Sequence, residues 1–398
     1  MIPGALQASR RHHGAKTTAA GARTVTHYTY NSADNHLDLL WTPKGVWQDR
    51  VARRFKDRAP KVVESDKGTY WEWEGKLQLP SADGKDNQKH RAGRYTQRGV
   101  QTPEGSLPPS DPKLFLEHMD LAGVYGAVIY GPTRKWDIKD PELRLECYRA
   151  YNDYILEFSS TNPDRIVGLP NLPTMMPEAC GPEAERVLNK GARGLEFSMF
   201  DAAVTPGDPV WEPIWSAAEQ AGVPVCCHIG DKSGAPYPPN EYGQSLAHFS
   251  VVPFGMARPI ANVIMSGILE RHPKLRFTFG EIRVGWVPFL ISWMDRQVKE
   301  RPADPSITLS RMPSEYFRDQ MTATFEDDIL GAKLIAQDWA YIKDSAMWGC
   351  DYPHNDVTWP SAERIMSEMF DGVDPALKQA VVFDRCADLF KMRIPATV

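Results

Sequence analysis

Five ionisable side chains fall at four places where an apolar, strand-like run gives way to polar residues. They are Asp34 and His36 in Ser32-Ala-Asp-Asn-His36, His228 closing Pro224-Val-Cys-Cys-His228, Glu281 just after Leu275-Arg-Phe-Thr-Phe279, and Asp351 after Ala346-Met-Trp-Gly-Cys350. Asp34 and His36 are two apart, so on a strand they share a face. Carboxylates and imidazoles that converge on one mouth repel or dehydrate one another unless a cation neutralises them. A mixed histidine and carboxylate set suits zinc, manganese or iron better than magnesium or calcium alone. Taken singly, each has a bland reading: Asp-x-His is common by chance, His228 fits a satisfied core histidine, and Asp351 fits a helix cap. The weight lies in the coincidence across four strand ends.

Those ends belong to a regular alternation. Strand-like runs at 28–35, 126–130, 165–169, 194–197, 224–228, 275–279, 320–325 and 346–350 are separated by helix-like segments. One such helix carries Trp211, Ile214, Trp215 and Ala218 at i, i+3, i+4, i+7, the spacing of a single helix face. Strands alternating with helices imply a parallel α/β sheet, and eight such units suggest a (β/α)₈ TIM barrel, with an open doubly wound sheet as the alternative. No GxGxxG follows an early strand, so nucleotide binding on such a sheet has no support. Two stretches break the alternation as long loops inserted after strands 1 and 5. Residues 42–110 are polar and irregular and contain Trp71 and Trp73; residues 231–251 are rich in Gly, Pro, Tyr and Ser and contain His248. Loops of this length act as lids, binding loops or subunit contacts, and after barrel strands they fall on the C-terminal rim, where barrel active sites lie. His248, Trp71 and Trp73 are therefore candidate substrate contacts, although aromatic residues in insertions more often pack a subunit interface.

The 398 residues carry 46 Lys and Arg against 51 Asp and Glu, for a net charge of −5. That balance gives no basic surface for a nucleic acid. No apolar run reaches the ~18 residues of a membrane helix. Six cysteines without a CxxC pair make neither a disulfide scaffold nor a thiolate zinc site, which suits a reducing cytoplasm. Residues 1–26 hold Arg10, Arg11, Lys16 and Arg23, no acid and no apolar core, so they read as a flexible tail or an arm on a partner subunit. Residues 27–398 then form one metal-dependent barrel domain.

Asp34-x-His36, Cys227-His-Ile-Gly230, Ser266-Gly-Ile-Leu-Glu-Arg-His-Pro-Lys-Leu-Arg276, Phe279-Gly-Glu-x-x-x-Gly-Trp286 and Trp348-Gly-Cys-Asp-Tyr-Pro-His354 resemble the amidohydrolase superfamily. More narrowly they resemble the branch containing aminocarboxymuconate semialdehyde decarboxylase and γ-resorcylate decarboxylase. The resemblance spans roughly residues 28–392. It implies a distorted (β/α)₈ barrel with a divalent metal at its mouth, held by Asp34, His36, His228 and Asp351. Two positions depart from the family pattern. Asp34 stands where relatives often carry His or Glu, and Glu281 stands where the decarboxylases usually carry a histidine.

The resemblance implies a metal-dependent enzyme acting on a small organic acid or amide by hydrolysis or by non-oxidative decarboxylation, with zinc as the first choice of cofactor and manganese or iron as alternatives. Asp351 would accept a proton in hydrolysis, Glu281 would serve as acid or base or ligate a second metal with His228, and His354 would fix a ligand or touch substrate. Two other classes compete: a dinuclear, iron-containing oxygenase on the same scaffold, and a non-catalytic barrel subunit paired with an active homologue. The expected partners are a small-molecule substrate and a second barrel, either identical or related. His118 and His272 read as structural, and Glu326, Asp327 and Asp328 as a helix start, where acids favour the positive end of the dipole.

Overall fold

The computed structural model describes residues 28–82, 99–103, 106–133, 135–230, 244–301, 309–337, 340–354 and 358–395. The tail expected at 1–26, the larger part of the 231–251 loop and a portion of 42–110 lie outside the described residues.

The first strand, β1 (Tyr30–Ser32), is shorter than the run expected at 28–35. Its register against a later strand slips between Tyr30 and Ser32, and such an irregularity bends a strand and re-aims the side chains beyond it. Asn35 and His36 continue the line only as isolated parallel bridges to Tyr352 and Tyr130. The insertion that follows is not irregular throughout. It folds into an antiparallel sheet of β2 (Lys61–Ser65), β3 (Gly68–Trp73) and β4 (Lys76–Pro80). Along β3 the alternate residues Thr69, Trp71 and Trp73 are buried, the period-2 pattern of a half-buried strand.

The remaining strands are β5 (Val124–Ile129), β6 (Ile166–Gly168), β7 (Leu195–Glu196), β8 (Val225–His228), β9 (Phe277–Gly280), β10 (Met321–Phe325) and β11 (Ala346–Trp348). All pair in parallel, in the orders β1-β5-β6 and β11-β10-β9-β8-β7. All six residues of β5 are buried, as expected for a parallel strand covered on both faces. Single bridges, Asn171 to Glu196 and Asn35 to Tyr352, join the edges of the two sheets. The α/β architecture is thus barrel-like in strand order, while no sheet among the described residues closes on itself as a continuous hydrogen-bonded ring.

Helices cover the outside, and their starts follow capping rules. Asp111 and Asp140 accept hydrogen bonds from the backbone N–H groups that open helices Pro112–Leu121 and Pro141–Ser160, each with proline in the first turn. The chain's last helices seal the N-terminal ends of the strands. Asn31 donates to Phe383 O, Arg385 to Ala346 O and Tyr125 to Arg393 O, while Phe390 packs in the interior with Val128, Leu169 and Cys226. One end of the strand assembly is therefore apolar and plugged, which leaves the C-terminal ends for polar chemistry. All six cysteines are buried free thiols, and no helix among the described residues is long and apolar enough to cross a membrane.

His118 is buried in helix Pro112–Leu121, with Nδ1 2.7 Å from the Tyr352 hydroxyl and its ring stacked on Trp359. Burial pushes its pKa down from 6.5 to about 4. The unfolded chain takes up this proton first, so the stabilisation is complete above pH ~6.5 and is lost as pH falls toward 4. Between pH 7 and pH 5 the protein should lose about 2 kcal/mol through this residue alone. Denaturant titrations at both pH values should show that increment in the wild type and not in His118→Gln. Equal pH sensitivity in the two proteins would refute it.

Candidate metal centre

The C-terminal ends of β1, β8, β9 and β11 bring the five sequence-selected groups together. Asp34 lies two residues past β1 and is fully buried; its Oδ2 accepts a hydrogen bond from Thr324 Oγ1 at 2.8 Å. His36 is also fully buried, with Nε2 3.4 Å from Asp34 Oδ1 and 3.1 Å from Asp351 Oδ1. His228 ends β8, and its Nε2 lies 3.3 Å from Asp34 Oδ1 and 3.6 Å from Glu281 Oε2. Its Nδ1 lies 2.7 Å from Ile229 O, a contact that fixes the N–H on Nδ1 and leaves the Nε2 lone pair facing the carboxylates.

Asp34 Oδ1, His36 Nε2, His228 Nε2 and Asp351 Oδ1 are buried and have no well-formed hydrogen bond. Buried polar atoms are rarely left so, and four in one place need a cause. A tetrahedral ion with bonds of ~2.0–2.2 Å separates its ligands by about 3.4 Å, close to the spacings found here. The candidate ligand atoms form two overlapping sets that share His36: Asp34, His36 and His228 in one, and His36, Glu281, Asp351 and His354 in the other. The residues present therefore fit a divalent cation.

Charge tells the same story. Burial and the nearby His354 both push the His36 pKa down, yet contacts with Asp34 and Asp351 hold it at about 10. The carboxylates thus demand positive charge strongly enough to keep a proton on a buried imidazole. Burial pushes the Glu281 carboxyl up to about 7, and the charge of Asp351 adds to that.

The backbone is shaped around these groups. A Cβ on Gly280 would meet His228 Cδ2 at 2.4 Å, and one on Gly349 would meet Asp34 Cβ at 2.5 Å. Both glycines are required by close approach. Asp351, Glu281 and Arg283 have φ of 52°, 55° and 59°, left-handed values uncommon for such residues. Strain of this kind persists only where the surroundings impose it. The Asp351 N–H donates to Asp34 O at 2.8 Å and ties the two strand ends together.

His354 bridges two carboxylates, with Nδ1 2.8 Å from Asp351 Oδ1 and Nε2 2.7 Å from Asp38 Oδ2. It also stacks on His36 at 4.1 Å between ring centroids. Glu281 does not pair with Arg283, two residues on, since Arg283 pairs with Glu326. That places Glu326 in a buried ion pair rather than at a helix start, while Asp328 caps helix Ile329–Ala336 as expected.

The substrate contacts expected from the insertions are not assembled. Trp71 and Trp73 are buried, and Trp71 packs edge-on against Trp47. Trp73 Nε1 donates to Asp137 O, so the pair forms the core that fastens the insertion down. His248 lies in helix Gln244–Val251 against Phe249 and is absent from the cavity wall beside His228. That wall holds residues the motifs did not single out, among them Lys135, Glu196 and Asp201. Asp38 was also missed, although Asp34, His36 and Asp38 continue one i, i+2, i+4 series.

A family model described as Amidohydrolase matches residues 133–384. The 2-amino-3-carboxymuconate-6-semialdehyde decarboxylase of Dictyostelium discoideum is 24% identical over 58% of this chain and 62% of its own length. The γ-resorcylate decarboxylase of Rhizobium sp. strain MTP-10005 is 23% identical over 55% of this chain and 69% of its own. The chain thus spans less than two thirds of the first of these relatives. An amidohydrolase from Mycobacterium avium subsp. paratuberculosis shares the fold with a TM-score of 0.68 at 19% identity, covering 93% of this chain and 99% of that one. A dihydroxybenzoic acid decarboxylase from Polaromonas sp. JS666, solved with manganese and 2-nitroresorcinol, gives 0.59 at 16% identity, covering 93% and 99%.

The geometry makes the metal requirement testable without an activity assay. His228→Ala and Asp351→Ala should each weaken manganese or zinc binding by ~100-fold or more, beyond what loss of outer partners costs. Gly280→Ala should weaken it by ~10–100-fold, because the new methyl displaces His228. Metal content by mass spectrometry after dialysis is the measurement. Full occupancy in His228→Ala and Asp351→Ala would sink the ligand assignment.

Proposed function

From the membership of this chain in the amidohydrolase family, in the branch that includes aminocarboxymuconate semialdehyde decarboxylase and γ-resorcylate decarboxylase, we propose that it is a metal-dependent carboxy-lyase. It removes CO₂ without an oxidant from a small aromatic acid. Residues 27–398 act as one distorted (β/α)₈ domain, with insertions after β1 and β8. The observation that carries the reading is the set of four buried, unsatisfied ligand atoms on Asp34, His36, His228 and Asp351. Manganese is preferred over zinc because a decarboxylase with this fold, from Polaromonas, holds manganese. The relatives described above give no support to an oxygenase or a non-catalytic subunit.

When bound, the cation would neutralise Asp34 and Asp351 and draw electron density from the substrate's oxygens. The chain's own groups do the rest. Glu281, 18% exposed at its side chain and 3.6 Å from His228, delivers a proton to the ring carbon that bears the carboxylate. A C–H bond forms there. The C–C bond to the carboxylate then breaks, its electron pair returns to the ring, and CO₂ departs. The exposed edge of Glu281 allows solvent to return the proton. His354, held between Asp38 and Asp351, keeps Asp351 turned toward the centre.

Two measurements test this. Manganese-loaded protein incubated anaerobically with a panel of hydroxybenzoates, 2,6-dihydroxybenzoate among them, should release CO₂ in step with loss of the acid. Release that requires dioxygen would overturn the proposal. Glu281→Gln should keep its metal and lose ~10²–10⁴-fold in turnover, the usual contribution of a general acid. An unchanged rate would remove Glu281 from the mechanism, and a fall in metal content would make it a ligand instead.

A further inference from the structure

A cavity of about 240 Å³ has His228 in its wall, so it adjoins the candidate metal centre. Lys135 is the one lysine or arginine among the described residues lining it. Its side chain is only 9% exposed, unlike an ordinary surface lysine. An ammonium has three N–H donors. Two of them go to Asn171 Oδ1 and Glu196 Oε1, and no acceptor for the third lies among the described residues, while the side chain lines the cavity.

Both acceptors are themselves pinned. Glu196 Oε2 accepts from the Gly131 N–H at 2.7 Å and from Asn171 Nδ2 at 3.0 Å. The Asn171 backbone is clamped by the Asn152 side chain, which accepts from its N–H at 2.7 Å and donates to its C=O at 3.0 Å. Asn152 in turn donates to the fully buried Glu183 at 2.7 Å. The ammonium is thus over-determined in position, which is what a recognition element requires and a solubilising lysine does not. Among the described residues, the carboxylates Asp137, Glu196 and Asp201 share the wall with this lysine.

We propose that Lys135, with Glu196 and Asp201 beside it, forms a subsite for a hydroxyl group on the substrate, remote from the group that meets the metal. A hydroxyl is donor and acceptor at once. Its oxygen takes the remaining Lys135 N–H, and its proton goes to a carboxylate. A second carboxylate on the substrate is disfavoured, because among the described residues the subsite offers one ammonium, already paired with Glu196. A bare C–H would leave a desolvated N–H unpaired, which is costly. Asn171 and Glu196 are positioning residues. The inference rests on the proposed function only in assuming that an aromatic acid enters this cavity with its carboxylate toward the metal.

The test is calorimetric titration of the full manganese-loaded chain with benzoate, 3- and 4-hydroxybenzoate, and isophthalate. The better hydroxybenzoate should bind ~10-fold or more tightly than benzoate, and isophthalate no more tightly than benzoate. In Lys135→Met that advantage should shrink to within ~2-fold, with manganese affinity unchanged. Because the single variant strands the Glu196 carboxylate, Lys135→Met/Glu196→Gln keeps the cavity neutral and should give the same loss of discrimination. An advantage that survives in both variants overturns the subsite, as does tightest binding of isophthalate. Equal binding of benzoate and both hydroxybenzoates to the wild type overturns the subsite alone. Failure of every acid to bind overturns the aromatic-acid reading along with it.

Discussion

Two carboxylates, Asp34 and Asp351, are held out of water with 0% and 1% of their surface exposed. Removing a carboxylate from water carries an effective penalty of several kcal/mol even after relaxation. Imidazoles partly offset it, but the Nε2 atoms of His36 and His228 both point at Asp34 Oδ1, and His228, whose Nδ1–H is committed to Ile229 O, can donate there only as an imidazolium. His36 and His228 lie 4.6 Å apart by ring centroid, and two imidazolium ions at that range repel. A divalent cation held among these residues would resolve the conflict, because its charge would neutralise the carboxylates while both imidazoles stay neutral. The rest of the structure is arranged to make that convergence available.

The arrangement is costly in backbone conformation. Glycine is needed at 280 and 349 because the ligands of neighbouring strands pass within side-chain distance of those α-carbons. Asp351 and Glu281 are turned inward by left-handed φ values that β-carbons disfavour. These costs are supported by the sealed apolar end below, where Phe390 and the C-terminal helices fill the interior that the strands leave. A plugged floor keeps the strand ends in fixed relation, and fixed strand ends keep the ligands within ion-binding range.

Much of this was legible in the sequence, and the reasons are specific. The eight strands and the helix faces follow from long-range apolar periodicity, which survives without knowledge of tertiary contacts. Asp34, His36, His228, Glu281 and Asp351 were visible because each marks the point where such a run stops. Trp71 and Trp73 were misread because residues 42–110 are polar on average, and the alternation in Thr-Tyr-Trp-Glu-Trp was outweighed by that average. His248 was proposed from its place in a long inserted loop, and such a placement says nothing about where a helix points. Lys135, Asn171 and Glu196 lie in three separate loops or strand ends. Their network exists only after β5, β6 and β7 are aligned, so no local spacing could announce it.

The two places where the strand assembly is joined by single bridges are also the two places where polar chemistry concentrates. At one seam the Asn35–Tyr352 bridge lies beside Asp34 and Asp351. At the other, Asn171 and Glu196 form the bridge and hold Lys135. This coincidence has a physical basis. A continuous ladder consumes every backbone N–H and C=O and packs neighbouring strands about 4.8 Å apart, leaving no room for a ligand. Where the ladder lapses from regular pairing, some backbone donors are left over, and those donors must find side-chain acceptors because buried amides are seldom left unpaired. Gly131 N–H finds Glu196, and Cys350 N–H finds Ser32 Oγ. The same lapse that would weaken a fully paired barrel thereby fixes polar side chains at the strand ends. One seam carries the candidate cation ligands and the other faces the cavity, and His228, on β8 beside β7, belongs to both environments.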